Sequence, residues 1–176
     1  PGARVLVLAG HGNNGGEGLA IARILASRRM VVSVVTTAAP GASTLEAEQN
    51  LALLRKMEQE GGSVQLLGLE AGVEQLASDA EVVVDALLGI GVRGRLREPI
   101  RSLARACAAA RHVASIDIPT GIDSDRGIRL DDDAVRAEVT ITMAAPKPGL
   151  LFGEGRDHAG TVVVADIGIP PHLVQE

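Results

Sequence analysis

Apolar residues fall in two rhythms along the chain. Short unbroken runs at 5–9, 31–37, 64–67, 82–86, 113–118, 137–143 and 161–166 are rich in β-branched side chains and end at Gly, Pro or polar residues. Such runs predict strands buried on both faces of a parallel sheet. Between them the spacing changes: residues 16–29 place Leu19, Ile21, Ala22, Ile24 and Leu25 at helical intervals, and 43–60 do the same with Leu45, Leu51, Leu54 and Met57 before Gly61-Gly62. Shorter helices are expected over 72–78 and 99–110. Strands alternating with helices predict an α/β fold, an open parallel sheet covered on both faces, as one domain over 1–176.

Ligands of such sheets bind outside the carboxyl ends of the strands. That rule singles out four segments following predicted strands: 10–18, 85–95, 117–123 and 144–151. The first, Gly10-His11-Gly12-Asn13-Asn14-Gly15, satisfies GxGxxG between a strand and a helix. A nicotinamide dehydrogenase would also carry an acid near the end of the second strand, which here reads Val34-Val35-Thr36-Thr37. No GxxxxGK[ST] is present either. The tandem Asn13-Asn14 is not needed for any turn, and Glu17 suits the first turn of a helix by its charge alone.

Composition narrows the picture. The chain has 176 residues, 46% hydrophobic and 22% charged, with a net charge of -5, too apolar for a disordered chain. One cysteine, Cys107, allows no internal disulfide and is expected in the core, and a reducing cytoplasm is the expected location. No run approaches the roughly 20 apolar residues of a membrane helix. Phe152 is the sole aromatic residue of the Phe, Trp and Tyr set, and the balance is acidic, so neither stacking platforms nor a basic footprint exists for nucleic acid. His11, His112, His158 and His172 are scattered without metal spacing, so no zinc is expected. Asp131-Asp132-Asp133 reads as a solvated loop, and Lys147, between two prolines, as either a surface residue or an anion contact.

Four ordered motifs carry a family resemblance. GHGNNGGEG, VVDALLGIGVRGRLREP, SIDIPTGIDSDRG, and APKPGLLFGEGR with ADIGIP resemble the motifs of the NAD(P)HX epimerases, the YjeF N-terminal domain family, from about Val5 to Pro170. The resemblance implies a Rossmann-like three-layer αβα sandwich with a mostly parallel central sheet. It implies an isomerase that interconverts the R and S epimers of hydrated NADH and NADPH (NADHX and NADPHX), and a partner dehydratase driven by ADP or ATP. Carried onto this sequence, Asn13, Asn14, Gly15, Gly16 and Glu17 would contact the substrate. Gly89, Ile90, Gly91, Val92, Arg93, Gly94 and Arg95 would wrap its phosphates, and Asp117 would meet the reacting nicotinamide end. A potassium ion would be held by Asn14, Asp85 and Thr120, an oxygen set suited to a hard cation. Asp85 has a lesser alternative reading as a helix cap, and without the resemblance Thr120 reads equally as turn chemistry beside Gly121.

C6 of the hydrate carries a hydroxyl beside the ring nitrogen. The nitrogen lone pair can expel it, once protonated, to leave an iminium, and water returning to the other face inverts the centre; ring opening and reclosure is a second route. Asp117 is the expected acid–base residue. The chain departs from the family pattern in Glu17 for Asp and Thr120 for Ser. It also lacks the helical segment that usually precedes the first strand, as an excised domain would; with that segment, the resemblance would also imply a homodimer. The competing reading is a non-catalytic nucleotide-binding or protein-interaction scaffold of the same fold.

Overall fold

A computed structural model describes residues 2–39 and 41–170; His172 lies outside the described residues. Seven strands and five helices follow in order: β1 (Arg4–Ala9), α1 (Asn13–Ser27), β2 (Val31–Thr36), α2 (Leu45–Gln59), β3 (Val64–Leu67), α3 (Val73–Asp79), β4 (Val82–Ala86), α4 (Ile100–Ala106), β5 (Val113–Ile116), β6 (Val139–Met143), α5 (Gly153–Ala159) and β7 (Thr161–Ala165). The strands form one sheet in the order β3-β2-β1-β4-β5-β6-β7, and every pairing is parallel. Strand order reverses between β1 and β4, the switch point where loops diverge to opposite faces and leave a crevice.

Alternation along β1 builds both cores. Val5, Val7 and Ala9 pack with Leu19 and Ala22 of α1 and with Leu51 and Leu54 of α2 on one face. Leu6 and Leu8 pack with Ala77 of α3 and with Ile100 and Leu103 of α4 on the other. Cys107 belongs to that second core, 4% exposed. No helix among the described residues is long and apolar enough to cross a membrane.

Three elements differ from the sequence pattern. Helix α1 begins at Asn13, before its first periodic apolar residue, because the polar and glycine turn NNGG is recruited by packing: a Cβ on Gly15 would sit 1.8 Å from the Gly10 carbonyl oxygen, and one on Gly18 2.4 Å from Ala86 Cβ. Helix α5 has too few apolar residues to show a helical face; it seats Gly155 against the Gly149 carbonyl and points His158 Nδ1 at Val135 O, 2.8 Å away. Strand β5 stops at Ile116 because Asp117 adopts φ 68°.

The acidic run at 131–133 is not the solvated loop expected. The Asp131 side chain has no exposed surface; it accepts the Asp133 backbone N–H (3.2 Å) and lies against Arg95 (3.2 Å) and Arg101 (3.4 Å), while Asp133 meets Arg101 at 2.6 Å. Only Asp132 stands open, at 81% exposure. These contacts fasten the long β5–β6 connection to the α4 side of the sheet.

Candidate active site

The site lies at the carboxyl ends of β1, β4, β5 and β6, strands adjacent in the sheet. Two of these ends share a device. Beyond β5, Ile118 N–H donates to Ile116 O (2.9 Å) across Asp117; beyond β6, Ala145 N–H donates to Met143 O (2.7 Å) across Ala144, which has φ 65°. Both are three-residue turns with a non-glycine residue at positive φ, a strained conformation that persists only when its surroundings hold it. The ladder does so: Asp117 N–H donates to Ile141 O (2.7 Å) and Ala144 N–H to Ala165 O (3.1 Å).

The first turn aims the Asp117 carboxylate into a cleft of about 540 Å³, and the second brings Lys147 back over it. Lys147 Nζ lies 2.5 Å from Asp117 Oδ1, and donates to Thr142 Oγ1 (2.8 Å) and Met143 O (3.0 Å). The Ile90 backbone N–H donates to the other carboxylate oxygen at 3.3 Å. Glu17 enters the same cleft from the first turn of α1. Partial burial and, after it, the negative charge of Asp117 raise the Glu17 carboxyl above its ordinary pKa, while Lys147 pulls it back. His11, Gly12, Asn13, Met143, Ala144 and Ile167 complete much of the wall.

Beneath the cleft floor sits a second carboxylate centre. Asp85, at the end of β4, is fully buried. Its Oδ1 accepts from Thr120 Oγ1 (2.7 Å) and Leu87 N–H (3.3 Å), and its Oδ2 from Ser115 Oγ (2.8 Å) and Thr120 N–H (2.9 Å). Burial raises its pKa, and these four donors oppose the rise. Among the described residues it has no ion-pair partner. Nearby, Asn14 is 8% exposed, and neither its side-chain oxygen nor its nitrogen has a hydrogen-bond partner, an uncommon condition for a buried amide. Asn14 Cβ lies 3.4 Å from where a Cβ on Gly89 would stand, and Asp117 Oδ2 lies 3.1 Å from the same point. Glycine at 89 therefore leaves room for Asn14 and Asp117 to approach the same point of the backbone.

The expected residues thus divide. Asn13, Asn14, Glu17, Gly89, Ile90, Gly91, Val92, Asp117 and Lys147 line the cleft. Gly15 and Gly16 lie beneath it, filled against Gly10 and against Ala47 of α2. Arg93 turns to Asp125 (3.4 Å) and Arg95 to Asp131; with Gly94 they fall outside the cleft wall. Lys147 is not a surface residue; within the cleft it is the counter-charge of Asp117. Sequence reading missed Thr142, Ser115 and Ile167; the strand-end rule, applied to β7, would have found the last. A groove of about 490 Å³ between α3 and α4 is lined by the Glu74–Arg105 pair (3.8 Å) together with Gln75 and Ser102.

Sheet order and the switch-point cleft define an open, all-parallel α/β domain with its candidate site at the strand ends. The chain belongs to the family described as YjeF-related protein N-terminus, whose model matches residues 1–149. It is 44% identical to the bifunctional NAD(P)H-hydrate repair enzyme Nnr of Salinibacter ruber, over 97% of this chain and 33% of that protein. It is 36% identical to the NAD(P)H-hydrate epimerase of Levilactobacillus brevis, over 94% of this chain and 73% of that one. The crystal structure of yeast ynu0, YNL200c, superimposes with a TM-score of 0.78 at 27% identity, covering 96% of this chain and 68% of that one. The chain spans about a third of the bifunctional relatives it matches.

Proposed function

We propose that this chain is an NAD(P)H-hydrate epimerase, acting on NADHX and NADPHX ahead of a nucleotide-dependent dehydratase. The observation that carries this reading is the meeting of Glu17, Asp117 and Lys147 in one cleft at the strand ends. The two acids differ in setting: burial and like charge favour the proton on Glu17, whereas the Lys147 ammonium compensates the charge of Asp117. Two acids facing one cleft can divide acid and base work. Glu17 donates its proton to the departing C6 oxygen while the ring nitrogen lone pair expels water. Asp117 faces the resulting iminium, stabilises its positive charge, and takes a proton from the water that adds to the opposite face. The proton returns to Glu17 when the cycle closes.

The donor set beneath the floor suits a potassium ion. An uncompensated buried carboxylate at Asp85, an unpartnered amide at Asn14 and the Thr120 hydroxyl are hard oxygen ligands of the kind such a cation takes. When bound, the ion would supply fixed positive charge beneath the cleft. Asn14, Asp85 and Thr120 would hold it, with the Thr120 hydroxyl also orienting Asp85. A matching readout is thermal stability: potassium chloride raises the Tm above that in choline chloride at equal ionic strength, and Asn14→Ala removes the difference.

The direct test is epimerisation. An R/S mixture of NADHX depleted in one epimer, followed by NMR in potassium buffer, returns to equilibrium faster with the protein than without it. Binding of the nucleotide with no acceleration overturns the enzyme and leaves the scaffold reading.

A further inference from the structure

The cleft continues into a second hollow. His11, Leu88 and Val92 stand in the walls of both, and beyond them a space of about 250 Å³ opens beside Thr37, Arg97 and Pro99. Its place is the end of β2: Thr37 N–H donates to Ala9 O (3.0 Å), prolonging the β1–β2 ladder beside the glycine turn. In doubly wound folds this corner receives the adenosine ribose of a dinucleotide. An acid there takes the 2′-hydroxyl, and an arginine the 2′-phosphate.

The end of β2 carries no such acid, since it reads Thr36-Thr37. Three arginines line the hollow. Arg93 is turned to Asp125, and Arg95 to Asp131 and Asp132. Arg97 has no ion pair and no side-chain hydrogen bond among the described residues. The one acid in the wall, Glu98, accepts the Ser102 backbone N–H (3.2 Å) at the start of α4. At the mouth, His11 Nδ1 and Thr37 Oγ1 lie 3.5 Å apart, two groups able to donate to an anionic oxygen.

We propose that this hollow is a ribose 2′-phosphate subsite, with Arg97 as its cation and His11 and Thr37 as further donors, so that the chain favours NADPHX over NADHX. The proposal rests on the epimerase reading, which places the nicotinamide at Asp117 and so sends the adenylate end toward β2. A guanidinium–phosphate contact is charge-assisted and can be bidentate, and its loss costs on the order of tenfold in affinity.

Calorimetric titration of the chain with 2′-phospho-ADP-ribose and with ADP-ribose tests it, beside the epimerisation assay on NADHX. The phosphorylated ligand binds about tenfold tighter, a gain that shrinks as salt is raised. Arg97→Ala brings the two affinities within about twofold while leaving ADP-ribose binding unchanged, and Arg97→Lys keeps part of the gain. Equal binding of the two ligands by the unmodified chain, or an equal loss of both in Arg97→Ala, overturns the subsite while NADHX epimerisation still stands. Binding of neither ligand together with no epimerisation overturns the subsite and the enzyme alike.

Discussion

Replacing Lys147 by methionine keeps most of the side-chain volume and removes the counter-charge of Asp117. The pair is well enclosed, with side-chain exposures of 18% for Lys147 and 10% for Asp117. Removing one partner of a buried pair costs about 3–5 kcal/mol, because the remaining charge is left in a poor solvent. Here the Ile90 N–H and Thr142 hydroxyl stay beside Asp117, which puts the loss near the lower end, about 3 kcal/mol. In a domain of this size that is a fall in Tm of roughly 6–12 °C. Asp117→Asn leaves Lys147 with its hydroxyl and carbonyl partners but without the carboxylate, and destabilises by a similar route. The double variant has no buried charge to strand, so it is less destabilised than the two single losses added, by about 2 kcal/mol. Urea unfolding of the four proteins at pH 7 gives the coupling directly. Additivity within about 0.5 kcal/mol shows that the two side chains act independently, and the electrostatic account of the site then fails.

Gly15→Ala forces a methyl group onto the Gly10 carbonyl and destabilises by about 3 kcal/mol, whereas Gly12→Ala, facing open space, changes stability by under about 1 kcal/mol; equal Tm values for the two variants contradict the packing account of the glycine turn. Ser115→Ala removes a buried donor to a carboxylate and lowers stability by about 1.5–3 kcal/mol in urea unfolding; an unchanged midpoint would mean that Asp85 does not depend on it. Glu17 has a folded-state pKa above its unfolded value, so the stability it contributes is full below the ordinary carboxylate pKa and is lost as pH rises through the raised one. Glu17→Gln is therefore expected to be more favourable, relative to the unmodified chain, at pH 7 than at pH 3.5. Differential scanning calorimetry at the two pH values checks this, and a pH-independent difference refutes it.

The strands were legible because a strand buried on both faces must be apolar along most of its length, as β1 is from Val5 to Ala9 and β4 from Val82 to Val84. The four strand-end segments were legible for the same reason, since each begins where the apolar run stops. Helix α5 was not, because glycines accepted for close packing at 153 and 155 remove the periodic signal. The Lys147–Asp117 contact was not legible either. The two are far apart in sequence and meet only because β5 and β6 are neighbours and each ends in the same strained turn. Likewise the charge of Asp131 is answered by Arg95 and Arg101 from another segment, which a local reading of three aspartates cannot supply.

That dependence on β6 has a consequence for biosynthesis. Thirty residues of chain separate Asp117 from the lysine that neutralises it, and at about 5–20 residues per second a ribosome needs roughly 2–6 seconds to make them. Through that interval the nascent sheet ends at β5, its outer edge lacking the strand that later pairs with it, and with an acid whose counter-charge does not yet exist. A chaperone that recognises open strand edges would find its target here until β6, and then β7, pair onto the sheet.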